Sequence, residues 1–291
     1  MPLCLELPST REQTLKASFQ MAVDHYENFP VASILLPKRL RRAVEIIYHF
    51  ARQADDFADE GDLQNEERFT ALDSFRNELK RIAANEAPLT PLFQDLAEII
   101  ARHQLPLQLF HDLLDAFSQD VLKKRYANFE EVLDYCRRSA NPVGRLLLHL
   151  YEEATPPNLT YSDAICTSLQ LINFWQDVTK DYAIDRIYIP QDEMAHFGVT
   201  ETHVAESRVD KEWQQLMQFQ VQRTRELMRS GAPLGSILTG RIGIEMRLII
   251  AGGNRILDKL EAVQFDMFRQ RPVLRPFDWV IMLGKSAPFS F

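Results

Sequence analysis

The chain has 291 residues, of which 46% are hydrophobic and 25% are charged, a composition typical of a soluble globular protein. Its formal net charge of −8 argues against nucleic acid as a partner. Cys4, Cys136 and Cys166 are too few and too scattered for a disulfide framework or a zinc site, which favours a reducing cytoplasm. The sequence shows no signal-peptide pattern and no apolar stretch long enough to span a bilayer. We therefore expect a cytoplasmic protein, and leave open a peripheral contact with the inner face of the membrane.

Helical periodicity runs through nearly the whole sequence. Together with proline and glycine signals, it predicts helices over residues 11–26, 38–59, 65–84, 91–103, 106–124, 129–150, 162–180, 207–229 and 236–263. Pro142 should kink the helix over 129–150, residues 155–157 should form a loop, and residues 186–190 should be extended. Because alternating strand patterns are almost absent and no linker divides the chain, we predict one all-α domain over residues 1–291.

Two pairs of aspartates, far apart in the chain, are the strongest signal for function. Asp55 and Asp59 form one pair, and Asp177 and Asp181 form the other. Each pair is spaced i, i+4, so both carboxylates of a pair project from one face of a helix. Two such faces turned toward each other would make a cage of oxygen ligands that suits Mg²⁺ ions holding a diphosphate.

The helix that carries the second pair is apolar almost all round, which predicts burial. A single polar stripe nevertheless runs along it through Gln170, Asn173, Asp177 and Asp181. Buried carboxylates need cations, and a bound metal supplies them. The alternative is a helix end that reaches solvent, which would account for Asp181 but poorly for Gln170 and Asn173.

Several other residues allow two interpretations. Arg52 shares a helical face with Asp55 and could pair with a carboxylate or reach a phosphate oxygen. Tyr135 is either a proton-transfer residue or a core tyrosine with a satisfied hydroxyl. The C-terminal Arg269 and Arg271 could touch a diphosphate or an anionic membrane surface. No glycine-rich phosphate loop or dinucleotide fingerprint is present, so we expect no NADPH requirement.

Taken in order, these motifs resemble the squalene/phytoene synthases, a family of all-α enzymes of isoprenoid metabolism. The resemblance spans about His25 to Leu260 and rests on four segments of the sequence: residues 29–37, 55–59, 135–144 and 170–190. It implies a class I isoprenoid synthase helical fold with a central cavity, and an isoprenoid diphosphate as the substrate.

The resemblance also assigns site residues. It implies that Mg²⁺, or else Mn²⁺, is bound by Asp55, Asp59, Asn173, Asp177 and Asp181. It implies that the substrate and its diphosphate are contacted by His25, Phe29, Arg52, Gln170, Asn173, Arg186 and Tyr188. Catalysis is assigned to Asp55, Asp177 and Tyr135, the last of which matches a family tyrosine implicated in the chemistry, and to Asn141. By itself, His25 is a lone histidine of the kind that is more often structural.

Three departures from the common family pattern narrow the resemblance. Residues 139–142 replace a glycine-containing segment, residues 174–176 replace an Ile-Leu-Arg segment of many members, and Gly253 replaces a tyrosine found in many members. These features resemble the hydroxysqualene synthases of hopanoid biosynthesis, which implies release of diphosphate from presqualene diphosphate, capture of the cation by water, and hand-off partners in that pathway. Asn141 could position the water, because its amide both donates and accepts, or could simply precede the kink at Pro142.

Four other functions stay open. A generic class I terpene cyclase would share the metal chemistry but would lack the segment over residues 135–144. A condensing member of the family would join two farnesyl diphosphates into presqualene diphosphate or squalene. A non-catalytic scaffold member should show eroded aspartates, whereas all four are present. A helical binding module without metal would show no dependence on Mg²⁺.

Overall fold

The computed structural model describes residues 36–59, 63–279 and 282. Over these ranges the chain is helical, and its only β-type pairing is an isolated parallel bridge between Arg125 and Ile187. The helices are α1 Lys38–Asp59, α2 Asn65–Ala83, α3 Pro91–His103, α4 Leu107–Leu122, α5 Phe129–Ser139, α6 Asn141–Leu150, α7 Pro156–Gln176, α8 Val178–Ala183, α9 Gln191–His196, α10 Glu201–Ala205, α11 Lys211–Gly231, α12 Leu234–Ile237 and α13 Gly240–Ala262. The predicted all-α fold is confirmed, while the helix expected over 11–26 lies outside the described residues. That the chain is one domain stays a prediction.

The predicted loop at residues 155–157 is wrong, because α7 begins there. Thr155 is the N-cap, and its side-chain oxygen accepts a hydrogen bond from the Asn158 amide nitrogen. Pro156 and Pro157 then occupy the first turn of the helix. Proline is well placed there, since the amides of the first turn have no partner inside the helix. The two prolines therefore start the helix rather than interrupt it.

Two helices that the sequence predicts as continuous are divided. A kink at Pro142 was expected, whereas the helix divides at Ala140, which joins α5 to α6. The helix predicted over 162–180 ends instead at Gln176, and Asp177 caps it with backbone angles of φ −105° and ψ 15°. Asp181 still donates its backbone amide to the Asp177 carbonyl at 2.9 Å. The second aspartate pair thus lies at a helix junction.

The core has two parts that adjoin along α6 and α7. One part lies within α1 to α4 and α6, and includes four interlocking aromatic rings, with Phe50 packed against Phe75, Phe93 and Phe110. The other part lies within α5, α7 and the C-terminal helices, around the fully buried Trp175 and Trp213. A Cβ at Gly144 would collide with Ser162 and Cys166, so this glycine lets α6 and α7 approach closely.

Contacts between helices fix their relative directions. Helix α6 runs antiparallel to α7, because Asn141 at its start bonds to Thr167 while Arg145 pairs with Asp163. Helix α11 is also antiparallel to α7, since Trp175 bonds to Thr224 and Gly231 packs against Tyr161.

Helix α13 in turn runs antiparallel to α11, because Arg225 pairs with Asp258 while Met228 lies against Gly253. Helix α13 therefore runs parallel to α7, with Gly253 beside Leu169 and Ile172.

The chain after α13 folds back onto the bundle. The buried Gln176 side chain donates to the Pro272 carbonyl at 2.6 Å, and the buried Asp278 carboxylate pairs with Arg255 and Lys259 of α13. Residues 264–279, here termed the C-terminal strap, thereby reach the end of α7. None of the helices in the described part of the chain is long and apolar enough to cross a membrane.

Candidate active site

A polar stripe follows α7 on the side where its packing is incomplete. Thr167, Gln170, Asn173 and Asp177 succeed one another at spacings of three and four residues. Thr167 and Asp177 are buried, whereas Gln170 and Asn173 are only partly buried although they lie in the middle of the bundle. Gln170 and Asn173 are therefore less completely packed than Thr167 and Asp177, and a cavity beside the stripe stays a prediction.

Asp177 is the most heavily engaged carboxylate of the stripe. It is 8% exposed, and both its oxygens accept hydrogen bonds from Arg271 of the strap, at 2.6 Å from Nε and 2.9 Å from Nη2. The Asn173 amide donates to its Oδ2 at 3.0 Å, and the Lys180 ammonium lies 3.4 Å from its Oδ1. A buried carboxylate needs this positive charge, because desolvation penalises an unpaired anion.

The first aspartate pair lies at the end of α1. Asp55 pairs with Arg52 at 3.3 Å, and Arg52 also pairs with Asp56 at 2.8 Å. Of the two interpretations of Arg52, the carboxylate pairing is therefore observed. Asp59 is the last residue of α1, and its side chain lies outside the described part of the structure.

Both aspartate pairs lie at the same end of the bundle. Burial raises the pKa of the Tyr151 hydroxyl, at the end of α6, to about 12, and the nearby charge of Arg39, at the start of α1, acts in the opposite direction. The start of α1 therefore adjoins the end of α6, which lies beside the start of α7. If α1 also runs antiparallel to α6, Asp55 at the far end of α1 and Asp177 at the far end of α7 share the opposite end, which is the arrangement that we infer.

Carboxylate and amide oxygens are the ligands that Mg²⁺ prefers, so Asp55, Asn173, Asp177 and Asp181 fit this metal chemically. Within the described residues, however, no three histidine, cysteine or acidic side chains converge as one ligand group. The metal assignment therefore stays a prediction that rests on donor chemistry and on the shared end of the two helices.

Tyr135 lies in a buried aromatic cluster beside the stripe. Its hydroxyl donates to Asp120 Oδ2 at 2.8 Å, and its ring packs against Tyr126, Phe174 and Tyr188. Burial, and then the Asp120 charge, raise the pKa of Tyr135 well above its ordinary value. The hydroxyl is therefore a permanent donor at neutral pH, with Asp120 as its acceptor.

The residues of the extended segment support this cluster. Tyr188 stacks on Phe174 with ring centroids 3.7 Å apart. Arg186 is buried and donates to the Asp120 backbone carbonyl at 3.0 Å. The structure thus brings two predicted substrate-binding residues, Arg186 and Tyr188, to the Tyr135 cluster.

Asn141 joins the polar stripe through a residue that the sequence analysis missed. Its Oδ1 accepts a hydrogen bond from the Thr167 hydroxyl at 2.9 Å, and both residues are buried. Thr167 precedes Gln170 by three residues, so helical periodicity alone could have added it to the stripe. The bond fixes the Asn141 amide with its oxygen engaged and its nitrogen directed away from Thr167.

The walls around the stripe are apolar but incompletely buried. Such side chains occur on four helices, with Val44 on α1, Leu147 on α6, Leu169 on α7 and Met246 and Ile249 on α13. Partly accessible apolar side chains between packed helices fit the central cavity that the resemblance implies, and that cavity stays a prediction. A cavity lined by such side chains, with the aspartates at its polar end, would suit a hydrocarbon.

The comparisons agree with this architecture. The family model described as "Squalene/phytoene synthase" matches residues 22–278. The chain belongs to the squalene/phytoene synthase family. This is a family of isoprenoid synthases, so the chain is assigned to a class of enzymes that act on isoprenoid diphosphates.

Individual relatives cover most of the chain. Hydroxysqualene synthase of Zymomonas mobilis is 37% identical over 77% of this chain and 75% of its own length. Phytoene synthase of Arthrospira platensis is 29% identical over 92% of this chain and 90% of its own length. The crystal structure of squalene synthase HpnC from Alicyclobacillus acidocaldarius matches with a TM-score of 0.78 at 33% identity, over 89% of this chain and 97% of that one.

The remaining predicted residues of this family member have mixed outcomes. His25 and Phe29 lie outside the described residues. Gln170 is partly buried on the stripe, and Asp181 lies near enough to Tyr188 for its charge to raise the pKa of that hydroxyl. Gly253 is buried where a Cβ would come within 2.7 Å of Met228, so it lets α13 approach its neighbours.

Proposed function

We propose that this protein is a hydroxysqualene synthase, which releases diphosphate from presqualene diphosphate and lets water capture the resulting cation. The hydroxysqualene synthase and squalene synthase relatives support this choice within the family. The observation that carries it is the Thr167–Asn141 hydrogen bond, which holds a fixed amide on the polar stripe that ends at Asp177. An amide held in this way can bind and orient a water molecule.

Asp55, Asp59, Asn173, Asp177 and Asp181 would hold Mg²⁺ or Mn²⁺ with the substrate diphosphate. When bound, this metal neutralises the leaving diphosphate and so eases cleavage of the C–O bond. Arg52 pairs with Asp55, and Arg271 pairs with Asp177. From these positions both guanidinium groups could donate hydrogen bonds to the oxygens of a diphosphate bound at the aspartates. Both arginines keep their charge at any physiological pH, so they bind the anion throughout the reaction.

The other residues control what happens to the carbocation. The aromatic cluster of Tyr135, Phe174 and Tyr188 presents ring faces, which attract a cation electrostatically. Apolar side chains of the cavity exclude bulk water and hence premature quenching. Asn141 directs one water to the cation, and the proton that this water loses passes to solvent or to diphosphate. No nicotinamide reductant takes part in this sequence.

A second candidate is condensation of two farnesyl diphosphates, favoured by the phytoene synthase relative that matches nearly the full chain. To decide between them, purified protein with Mg²⁺ and without NADPH is supplied separately with presqualene diphosphate and farnesyl diphosphate. Hydroxysqualene from the first, with the second untouched, supports our proposal. Consumption of farnesyl diphosphate alone would support the condensing reaction.

Two variants test the metal assignment in the same assay. Asp177→Asn should abolish turnover while circular dichroism shows an unchanged helix content. Asp73→Asn is the matched control, because Asp73 is an exposed carboxylate on α2 and should leave turnover unchanged. A fully active Asp177→Asn protein would overturn the metal assignment. We further propose that the protein acts in the cytoplasm, at most in peripheral contact with the membrane, and passes its product to partners of hopanoid biosynthesis.

A further inference from the structure

Tyr151, just after α6, lies within electrostatic range of two charged residues at the end of the bundle opposite the aspartates. They are Arg39 at the start of α1 and Glu245 in the second turn of α13. Burial raises the pKa of the Tyr151 hydroxyl to about 12, and the charges of Glu245 and Arg39 both act on it. The Tyr151 hydroxyl oxygen is buried and has no hydrogen-bond partner among the described residues. Three elements that surround the cavity therefore converge at this tyrosine.

Glu245 is the unusual member of this group. It is partly buried, and burial raises the pKa of its carboxyl to about 7. On α13 it shares one side with Ile249, Gly252 and Ile256, at spacings of four, three and four residues. This side lies next to Gly253, which packs on α7. A single carboxylate therefore ends an otherwise apolar stripe on the cavity side of α13.

The depth of the cavity follows from the helix geometry. Gly253 lies level with Leu169 and Ile172 of α7, and α13 runs parallel to α7. With a rise of 1.5 Å per residue, Glu245 lies about 22 Å from the level of Asp177 along the bundle. Along α1, the same rise separates Arg39 from Asp55 by about 24 Å. The two helices give similar distances between the polar cluster and the aspartates.

We propose that Glu245 and Tyr151 form the end wall of the cavity and limit the isoprenoid chain to the farnesyl length. This inference rests on the proposed function. An extended farnesyl chain with its diphosphate spans about 20 Å, because each C–C bond of about 1.5 Å advances the chain by about 1.25 Å. One more isoprenoid unit adds about 5 Å and would press its apolar end against a buried carboxylate, which is costly to leave unsolvated.

The test measures binding of unreactive analogues. Farnesyl and geranylgeranyl thiolodiphosphates are titrated into the full-length protein with Mg²⁺ by calorimetry. We expect wild type to bind the farnesyl analogue at least about tenfold more tightly, and Glu245→Ala to reduce this ratio to below about threefold by gaining affinity for the longer analogue. Tyr151→Ala should also reduce the ratio of the affinity for the farnesyl analogue to that for the geranylgeranyl analogue. This variant replaces Glu245→Ala in the test if Glu245→Ala does not fold.

The matched control is Glu261→Ala, which removes an exposed carboxylate of the same helix and should leave the ratio unchanged. The end-wall proposal would be overturned if the ratio of the two affinities were unchanged in both Glu245→Ala and Tyr151→Ala. It would also be overturned if the wild-type protein bound the two analogues equally tightly. The product assay with presqualene diphosphate, run on the same wild-type protein, tests the proposed function separately. Hydroxysqualene formation with an unchanged ratio would reject only the end wall.

Discussion

Arg271 binds both carboxylate oxygens of Asp177 across 94 residues of sequence. The pair joins the C-terminal strap to the junction of α7 and α8, at the polar end of the cavity. Bidentate arginine–carboxylate pairs are among the stronger polar interactions in proteins. The strap is therefore held against the junction of α7 and α8 through Asp177, and a change of charge at Asp177 should alter how residues 264–279 are held.

Replacing Arg271 by methionine should destabilise the protein in the absence of Mg²⁺. Asp177 would keep only Asn173 and Lys180, so the free energy of unfolding should fall by about 1–3 kcal/mol. Because a divalent cation would then supply the missing charge, added Mg²⁺ should restore more stability to this variant than to wild type. Urea unfolding with and without Mg²⁺ measures both effects.

Arg269→Met is the matched control for this experiment. Arg269 lies two residues away, is exposed, and pairs with Asp266 rather than with the aspartate motif. Its loss should change stability by less than about 1 kcal/mol, with or without Mg²⁺. If Arg271→Met and Arg269→Met lowered the free energy of unfolding equally, the Arg271–Asp177 pair would contribute no more to stability than an exposed ion pair.

The Thr167–Asn141 bond makes a prediction about product identity. Thr167→Val removes the hydroxyl that fixes the amide, whereas Thr167→Ser retains it. We expect Thr167→Val and Asn141→Ala to lower the yield of hydroxysqualene by about 10- to 100-fold, equivalent to about 1.4–2.8 kcal/mol. Cations that escape water should appear as unhydroxylated hydrocarbon in the extracts, read by gas chromatography–mass spectrometry. An Asn141→Ala enzyme with unchanged rate and product would refute the water-positioning role.

Asp278 anchors the other end of the strap. Burial alone would raise the pKa of its carboxyl, but hydrogen bonds from Lys259, the Arg275 amide and Arg255 outweigh burial and lower the pKa to about 2. A carboxyl with a lowered pKa stabilises the fold above its unfolded value of 3.8, and this contribution is lost as pH falls toward 2.

Asp278→Asn should therefore cost about 2 kcal/mol at neutral pH and progressively less in acid. Unfolding by urea at pH values above and below the unfolded pKa measures the difference. Asp266→Asn is the control, since Asp266 pairs with the exposed Arg269. A loss that is independent of pH would contradict the assigned pairing.

The sequence predicts this fold well where local signals suffice. The bounds of α1 and α3 follow from apolar periodicity and from Pro91, and the break before Pro142 follows from the chemistry of proline. The prediction from sequence is wrong at Pro156, because this proline starts a helix, whereas a proline inside a helix interrupts it. Whether a proline starts or breaks a helix depends on the side-chain cap before it, here Thr155.

Some residues of the candidate site can likewise be predicted from the sequence, and others cannot. The polar stripe through Gln170, Asn173 and Asp177 is visible because it contradicts the apolar character of its helix. By contrast, the partners of Asp177 and Asn141 are 94 and 26 residues away, and no periodicity links them. Long-range hydrogen bonds depend on tertiary packing, so only the structure identifies Arg271 as the partner of Asp177 and Thr167 as the partner of Asn141.

Glu245 predicts an unusual dependence of stability on pH. Burial raises its pKa from 4.5 to about 7, so the folded protein binds a proton that the unfolded chain releases. Stability therefore falls as pH rises from about 4.5 through 7, and the penalty is complete above that range. A shift of this size corresponds to about 3 kcal/mol. Glu245→Gln, which cannot ionise, should remove the penalty.

We expect Glu245→Gln to be more stable than wild type above pH 7, with the difference closing as pH approaches the unfolded value near 4.5. Urea midpoints across this range measure the effect, and Glu261→Gln provides an exposed carboxylate on the same helix for comparison. A variant no more stable than wild type at alkaline pH would mean that solvent reaches the Glu245 carboxylate. An accessible carboxylate costs little to ionise, and it would also make a poor end to an apolar cavity.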